Sequence, residues 1–60
     1  MTFGELKPGQ QFFFEHFFAG AVCVKVEQQL VFPDSGTYRL ASAKLDDVRL
    51  SKHDVQVRPA

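Results

Sequence analysis

The chain has 60 residues, with seven basic and seven acidic side chains, a formal net charge of zero and a single cysteine. This length predicts one domain over residues 1–60, and one cysteine cannot form an internal disulfide. Nucleic-acid binders usually carry a positive excess, which is absent here. We therefore expect stability to come from a core built on the seven phenylalanines, or from self-association.

Charged residues interrupt every long apolar stretch, so no segment is suited to spanning a bilayer. The first residues lack the basic and apolar stretches of a secretion signal. The lone cysteine, Cys23, is typical of a reducing compartment. These features predict a soluble, cytoplasmic protein with no membrane partner.

The first predicted elements are a turn and an aromatic strand. Lys7-Pro8-Gly9-Gln10 predicts a type II turn, because proline presets the second position and glycine supplies the positive φ of the third. Residues 11–18 are short and β-favouring, which predicts a strand. Alternation puts Phe12, Phe14, His16 and Phe18 on one face, and Phe13, Glu15 and Phe17 on the other.

A turn at Ala19-Gly20 separates this strand from residues 21–27, which alternate clearly. Val22, Val24 and Val26 share one face, and Cys23, Lys25 and Glu27 the other. Residues 30–32 predict a short apolar return. Residues 33–36 predict a second turn with Gly36 in a left-handed conformation, and residues 37–43 a strand with Tyr38 and Leu40 on one face.

Asp46-Asp47 predicts a reversal before a short strand at residues 48–50. Ser51-Lys52-His53-Asp54 has the spacing of a capping box, which predicts one helical or 3₁₀ turn. Residues 55–58 predict a last strand, stopped by Pro59. Five or six short antiparallel strands, with one such turn before the last, predict an all-β, small SH3-like barrel that protects its sheet edges by closing.

Four segments of the sequence resemble a pattern found in small bacterial and phage proteins of uncharacterised activity. The matching segments are Phe3-Gly4-Glu5-Leu6-Lys7-Pro8-Gly9-Gln10, Val24-Lys25-Val26, Ala43-Lys44-Leu45-Asp46 and Val55-Gln56-Val57-Arg58-Pro59. The chain departs from that pattern in having Asp47 where a turn glycine is expected, and in its crowded aromatic run. The resemblance implies an SH3-like barrel and no known activity.

No group of residues predicts a catalytic, metal or cofactor site. Cys23, His16 and His53 are the only residues that could begin a thiol–imidazole nucleophile, but the strand pattern places neither histidine beside the cysteine. We therefore expect Cys23 to be a small buried or half-buried thiol. Asp46 and Asp47 are expected to form a solvated turn, because a chain this small offers little cleft for paired carboxylates.

The aromatic run is the segment that points to function. One small barrel cannot easily bury both of its faces, so Phe13 and Phe17 are expected either to be covered or to form a partner-binding surface. Because Glu15 is the only formal charge between Gln11 and Phe18, it alone discourages pairing, and a homodimer is the form of binding predicted first. The alternative is a nucleic-acid-binding module using the basic residues Lys44, Arg49, Lys52 and Arg58.

Overall fold

The computed structural model describes residues 1–16, 20–26, 33–44 and 46–60. Its elements are a 3₁₀ turn (Phe3–Glu5) and the strands β1 (Gln11–Phe14), β2 (Cys23–Val26), β3 (Ser35–Leu40), β4 (Arg49–Lys52) and β5 (Val57–Pro59). The strands form one antiparallel sheet in the order β4-β3-β2-β1-β5. The predicted all-β fold of five short antiparallel strands is confirmed. Across the described ranges the sheet is not closed into a barrel, because β4 and β5 lie at opposite ends of the order.

The turn that leads into β1 has the predicted geometry. The Gln10 amide donates to the Lys7 carbonyl at 3.0 Å, and Gly9 has φ +84°, a value that favours glycine. The Gln10 side chain returns the contact, since its Oε1 accepts from the Lys7 amide at 3.1 Å. Beyond the turn, the Lys25 amide donates to the Gln10 carbonyl at 3.0 Å, which starts the pairing of β1 with β2.

Strand register divides the sheet into two faces. Phe12 of β1 lies opposite Cys23, and Cys23 opposite Leu40, while Lys25 lies opposite Tyr38. The face that carries these residues is called the inner face, and its buried members are Phe12, Phe14, Cys23, Lys25, Gly36, Tyr38 and Val57. Phe12 and Phe14 therefore belong to the core, as alternation predicts, whereas His16 is exposed in a bend after β1.

Phe3 fills the centre of the inner face. Its side chain is 0% exposed, and its ring makes edge contacts with Phe12 and Tyr38 at centroid distances of 5.6 and 6.0 Å. It also lies parallel to the Phe14 ring at 6.3 Å. Such contacts add to the free energy of burying each ring. The sequence counts Phe3 among the phenylalanines of an aromatic core, but its place before the first strand gives no sign that its ring is the central one.

Hydrogen bonds to the end of the chain hold Phe3 in place. The Phe3 amide donates to the Val55 carbonyl at 2.8 Å, and the Gly4 amide to the His53 carbonyl at 2.9 Å. Within the 3₁₀ turn, a Glu5 carboxylate oxygen accepts from the Thr2 amide at 3.1 Å and from its hydroxyl at 2.9 Å. These two bonds hold the pKa of Glu5 below its usual value, and the bond from the Thr2 amide has the larger effect.

The 3₁₀ turn lies before the first strand, not before the last as predicted. Ser51 and Lys52 pair with Gly36 and Ser35, so they end β4, and His53-Asp54 forms an ordinary turn. Pairing with β3 therefore overrides the local capping-box spacing, and the same spacing at Thr2 and Glu5 accompanies the 3₁₀ turn that forms.

The predicted left-handed conformation of Gly36 is wrong. Gly36 lies inside β3, is buried and is not among the positive-φ glycines, which are Gly9 and Gly20. Its importance is steric, because a Cβ there would lie 2.8 Å from Cε2 of Phe3. Glycine at this position lets the Phe3 ring approach the strand backbone.

Several strand bounds differ from their predictions. β1 ends at Phe14 instead of residue 18, and β3 runs from Ser35 to Leu40 instead of over residues 37–43. β5 begins at Val57 and includes Pro59. The predicted return at residues 30–32 and the prediction for Phe18 lie outside the described residues.

Replacing Phe3 with alanine should unfold the protein. Removal of a fully buried phenylalanine costs about 3–5 kcal/mol, which is comparable to the whole stability of a domain this small. Urea denaturation followed by far-UV circular dichroism measures the loss. The control is Leu50→Ala, because Leu50 is 60% exposed and its loss should change stability by less than about 0.5 kcal/mol. Wild-type stability in the Phe3 variant would contradict a central role for this ring.

Candidate functional site

The second face of the sheet carries the aromatic residue that the sequence analysis singled out. Phe13 lies between the two core positions of β1 and is half-buried, and it pairs with Arg58 of β5. Val24 and Val26 of β2 and Leu50 of β4 extend the same side. The side of the sheet that carries Phe13, Val24, Val26, Thr37, Arg39, Leu50, Lys52 and Arg58 is called the outer face.

The three residues predicted to bind a partner are only partly described. Phe13 lies on the outer face, as alternation predicts. Glu15 follows β1 in a bend, is exposed, and donates its amide to the Gln56 carbonyl at 3.2 Å. Phe17 lies outside the described residues.

Charge is separated along the chain even though the net charge is zero. The described strands contain five basic residues and no Asp or Glu, because the acidic residues described all lie outside the strands. The outer face carries Arg39, Lys52 and Arg58. Among described residues, the single ion pair joins Arg49 to Asp47 at 3.7 Å. The outer face therefore carries apolar side chains on β1, β2 and β4 with basic side chains beside them, and Thr37, between them on β3, is buried.

The structure does not bring the four predicted nucleic-acid contacts together. Lys52 lies on β4 and Arg58 on β5, the strands at the two ends of the sheet order. Arg49 alternates with Leu50, so it lies on the other side of the sheet from Lys52 and Arg58, and it pairs with Asp47. Lys44 is exposed in the connection between β3 and β4. Of the four, Lys52 and Arg58 share the outer face, Arg49 lies on the opposite face and Lys44 lies outside the sheet.

The residues considered for nucleophile or metal chemistry lie apart. Cys23 is fully buried on the inner face, and burial raises the pKa of its thiol. His16 is exposed after β1, and His53 lies in the turn before β5. Among residues 1–16, 20–26, 33–44 and 46–60, no three His, Cys, Asp or Glu side chains lie close enough to hold a metal ion. Asp46 and Asp47 are exposed in the predicted turn, where the Asp47 amide donates to the Lys44 carbonyl.

Lys25 is the unexpected polar residue of the core. It is only 9% exposed, and its ammonium donates to the Phe3 carbonyl at 2.9 Å. The same nitrogen lies 4.0 Å from the centroid of the Phe3 ring, a cation–π distance. No ion pair to Lys25 occurs in the described part of the chain, and desolvation lowers its pKa. Lys25 thus fixes the 3₁₀ turn to β2 at the cost of burying a charge.

His53 lies on another side of the same aromatic residue. Its ring is 6.5 Å from the Phe3 ring at an interplanar angle of 22°, and its buried Nδ1 has no hydrogen-bond partner among the described residues. A Cβ on Gly36 would meet both Cε1 of His53, at 3.3 Å, and Nζ of Lys25, at 3.5 Å. The alternation of β2 predicts that Cys23 and Lys25 share a face. The residues that neighbour them in sequence do not indicate that Phe3 covers that face.

Comparisons with known proteins give no relative. No family model matches the chain, and neither the curated proteins nor the solved structures contain a match. The resemblance to small bacterial and phage proteins stays a prediction. Within the described ranges, no helix has the length and apolar character needed to cross a membrane.

Burial of Lys25 should make stability depend on pH. Its folded-state pKa is below 10.5, so between that lowered value and 10.5 the unfolded chain binds more protons than the folded chain. The contribution of Lys25 to the free energy of unfolding should therefore rise with pH in this window, and fall as pH drops through the folded-state pKa. Cys23 and Tyr38 act oppositely, because burial raises the pKa of each.

The difference in unfolding free energy between wild type and Lys25→Met isolates this effect, because both proteins keep Cys23 and Tyr38. Urea titrations should show wild type gaining on the variant as pH rises toward 10.5. Lys44→Met, which removes an exposed ammonium, controls for the loss of a positive charge as such. A difference that is flat or falls with pH would contradict the burial of a charged Lys25.

Proposed function

We propose that this chain is a non-enzymatic, cytoplasmic interaction module that binds protein through the outer face of its sheet. One observation carries the proposal: β1 places Phe12 and Phe14 in the core and leaves Phe13 on the opposite side. Phe13 and its neighbours Val24 and Val26 are half-buried, and Leu50 is exposed. Aromatic and aliphatic side chains grouped on a surface are typical of partner-binding sites.

The proposal also includes the SH3-like class, the relationship to small bacterial and phage proteins, and contributions of Glu15 and Phe17 to binding. The return of β5 to pair with β1 supports the SH3-like class. The position of Glu15, exposed just past β1, supports a place beside Phe13 in the binding surface.

Self-association is the form of binding that the chain can show alone. Two outer faces brought together would bury Phe13 against its copy and close a symmetric dimer. The same arrangement would bring Arg39, Lys52 and Arg58 of one copy near those of the other. Like charges at an interface oppose association, and salt screens that repulsion. A homodimer formed in this way should therefore be weak at low salt and stronger at high salt.

Sedimentation velocity over a range of micromolar concentrations tests this surface. Wild type should associate more strongly at about 1 M NaCl, where the screening length is about 3 Å, than at low salt. Phe13→Ser should remain folded and lose association, because the ring lies outside the core. The control is Gln11→Ser, an exposed position two residues earlier on the same strand face. A wild-type monomer at every salt and concentration would exclude the homodimer, and equal association of the Phe13 variant would exclude this surface.

Nucleic-acid binding is the alternative function, and the separation of its four basic residues weighs against it. We expect no binding of duplex or single-stranded oligonucleotides at physiological salt, measured by fluorescence anisotropy. Affinity due to phosphate contacts falls steeply as salt rises, because counterions are released. Micromolar, salt-sensitive binding that disappears in an Arg49→Gln, Arg58→Gln variant would replace the proposed function by the alternative.

A further inference from the structure

A diagonal of the outer face runs from Phe13 on β1 past Val24 on β2 and the buried Thr37 on β3 to Leu50 on β4. Gln11, Val24 and Arg39 are opposite one another in one row, and Val26, Thr37 and Leu50 in the next. Phe13 lies one step beyond the first row. At the usual strand and residue spacings, the diagonal from Phe13 to Leu50 is about 20 Å long. An extended peptide of about six residues spans that distance.

Positive charges surround this diagonal without carboxylates near them in the strands. Arg58 is directly opposite Phe13, Arg39 is opposite Val24, and Lys52 lies two residues past Leu50 on β4. The described strands contain no Asp or Glu. Arg39 is held close to the sheet, where its Nη1 lies 3.5 Å from the Leu40 carbonyl. A ligand along the diagonal would therefore meet a cation at both ends and at one side.

This arrangement selects among the possible occupants. A second copy would present the same cations to each other, and so is disfavoured by charge. Single-stranded nucleic acid binds to successive aromatic rings in a basic groove, whereas Phe13 is the single aromatic residue among the described outer-face positions. An acidic chain segment with apolar side chains satisfies both features, because its carboxylates complement the cations and its apolar groups cover Phe13, Val24 and Leu50.

We propose that the outer face binds an acidic, apolar segment of another protein. This inference rests on the proposed function and specifies the chemistry of its partner. Phe13 supplies the apolar anchor, and Arg39 and Arg58 supply the charge that selects for Asp and Glu. Lys52 extends the charged border past Leu50.

A random peptide library displayed on phage tests the inference. Its peptides have about twelve residues, so each is long enough to span the diagonal. Selection on wild type, with removal of phage that bind Phe13→Ser, should enrich Asp and Glu beside aromatic or aliphatic residues. A selected peptide, synthesised and labelled, should bind wild type less tightly as salt rises. Arg39→Gln with Arg58→Gln should weaken its binding by about tenfold, as expected for two exposed charge pairs.

Two controls keep the result tied to the outer face. Lys44→Gln removes an exposed cation outside the strands, and Gln11→Ser changes an outer-face polar position, so neither should alter peptide affinity by more than about twofold. Heteronuclear NMR of the wild type needs no variant: peptide addition should shift the amides of β1, β2, β3 and β4. These shifts keep the inference testable even if Phe13→Ser fails to fold.

Each other outcome overturns the inference in a different way. Neutral or basic peptides that still require Phe13 would exclude the acidic partner and leave the proposed function intact. Failure to obtain any Phe13-dependent peptide, or any shift on the outer face, would exclude both. Tighter binding of oligo(dT) than of the best peptide would assign the face to nucleic acid. Self-association that competes fully with the peptide library would assign it to a second copy.

Discussion

Burial of Phe3 is the contact on which the arrangement of the sheet depends. Its ring touches residues of β1 and β3, its carbonyl accepts from Lys25 of β2, and its amide donates to Val55 just before β5. Phe3, a single residue near the start of the chain, thus connects three strands and the segment before a fourth. In a domain of 60 residues, which buries a smaller fraction of its surface than larger domains do, such a contact has few substitutes.

The position of Phe3 also decides what the outer face becomes. Because the Phe3 ring occupies the centre of the inner face, the core is completed by residues of that face and of the amino-terminal segment. Phe13 is then left on the far side, beside basic residues that the sheet places there by alternation. A zero net charge hides this separation, since the charged residues of the described strands are all basic and the described acidic residues all lie outside the strands. Local charge is therefore a better guide to partners here than total charge.

Features fixed by neighbouring residues could be predicted from the sequence. The turn at Gly9, the opposite facing of Phe12 and Phe13 and the antiparallel all-β architecture each follow from local turn chemistry or period-two alternation. The candidate surface was predicted only in part, through Phe13. Arg39, on the neighbouring outer-face diagonal, was missed because its place beside Val24 depends on the register between β2 and β3.

Contacts between distant residues account for the remaining differences. Gly36 follows residues typical of a turn, yet its role is to leave room for the ring of Phe3, a residue near the start of the chain. The capping-box spacing occurs at both Thr2–Glu5 and Ser51–Asp54, and pairing of β4 with β3 decides which of them becomes a 3₁₀ turn. Lys25 is a charged residue, so its burial is not expected from the sequence. The Phe3 carbonyl and ring make that burial tolerable.

The buried ammonium of Lys25 links the stability of the fold to the proposed binding. An ion without a carboxylate partner in the described residues lowers the stability of a domain that, at this size, has only roughly 3–5 kcal/mol. A ligand that binds the folded chain alone adds stability, by about 2.7 kcal/mol at a concentration 100 times its Kd. Occupation of the outer face at that concentration would therefore raise the stability of the chain by about half to nine-tenths. Because the two faces share the strands β1, β2 and β3, a ligand on Phe13 would also stabilise the strands that enclose Phe3, and the free energy of unfolding would rise with the concentration of the partner.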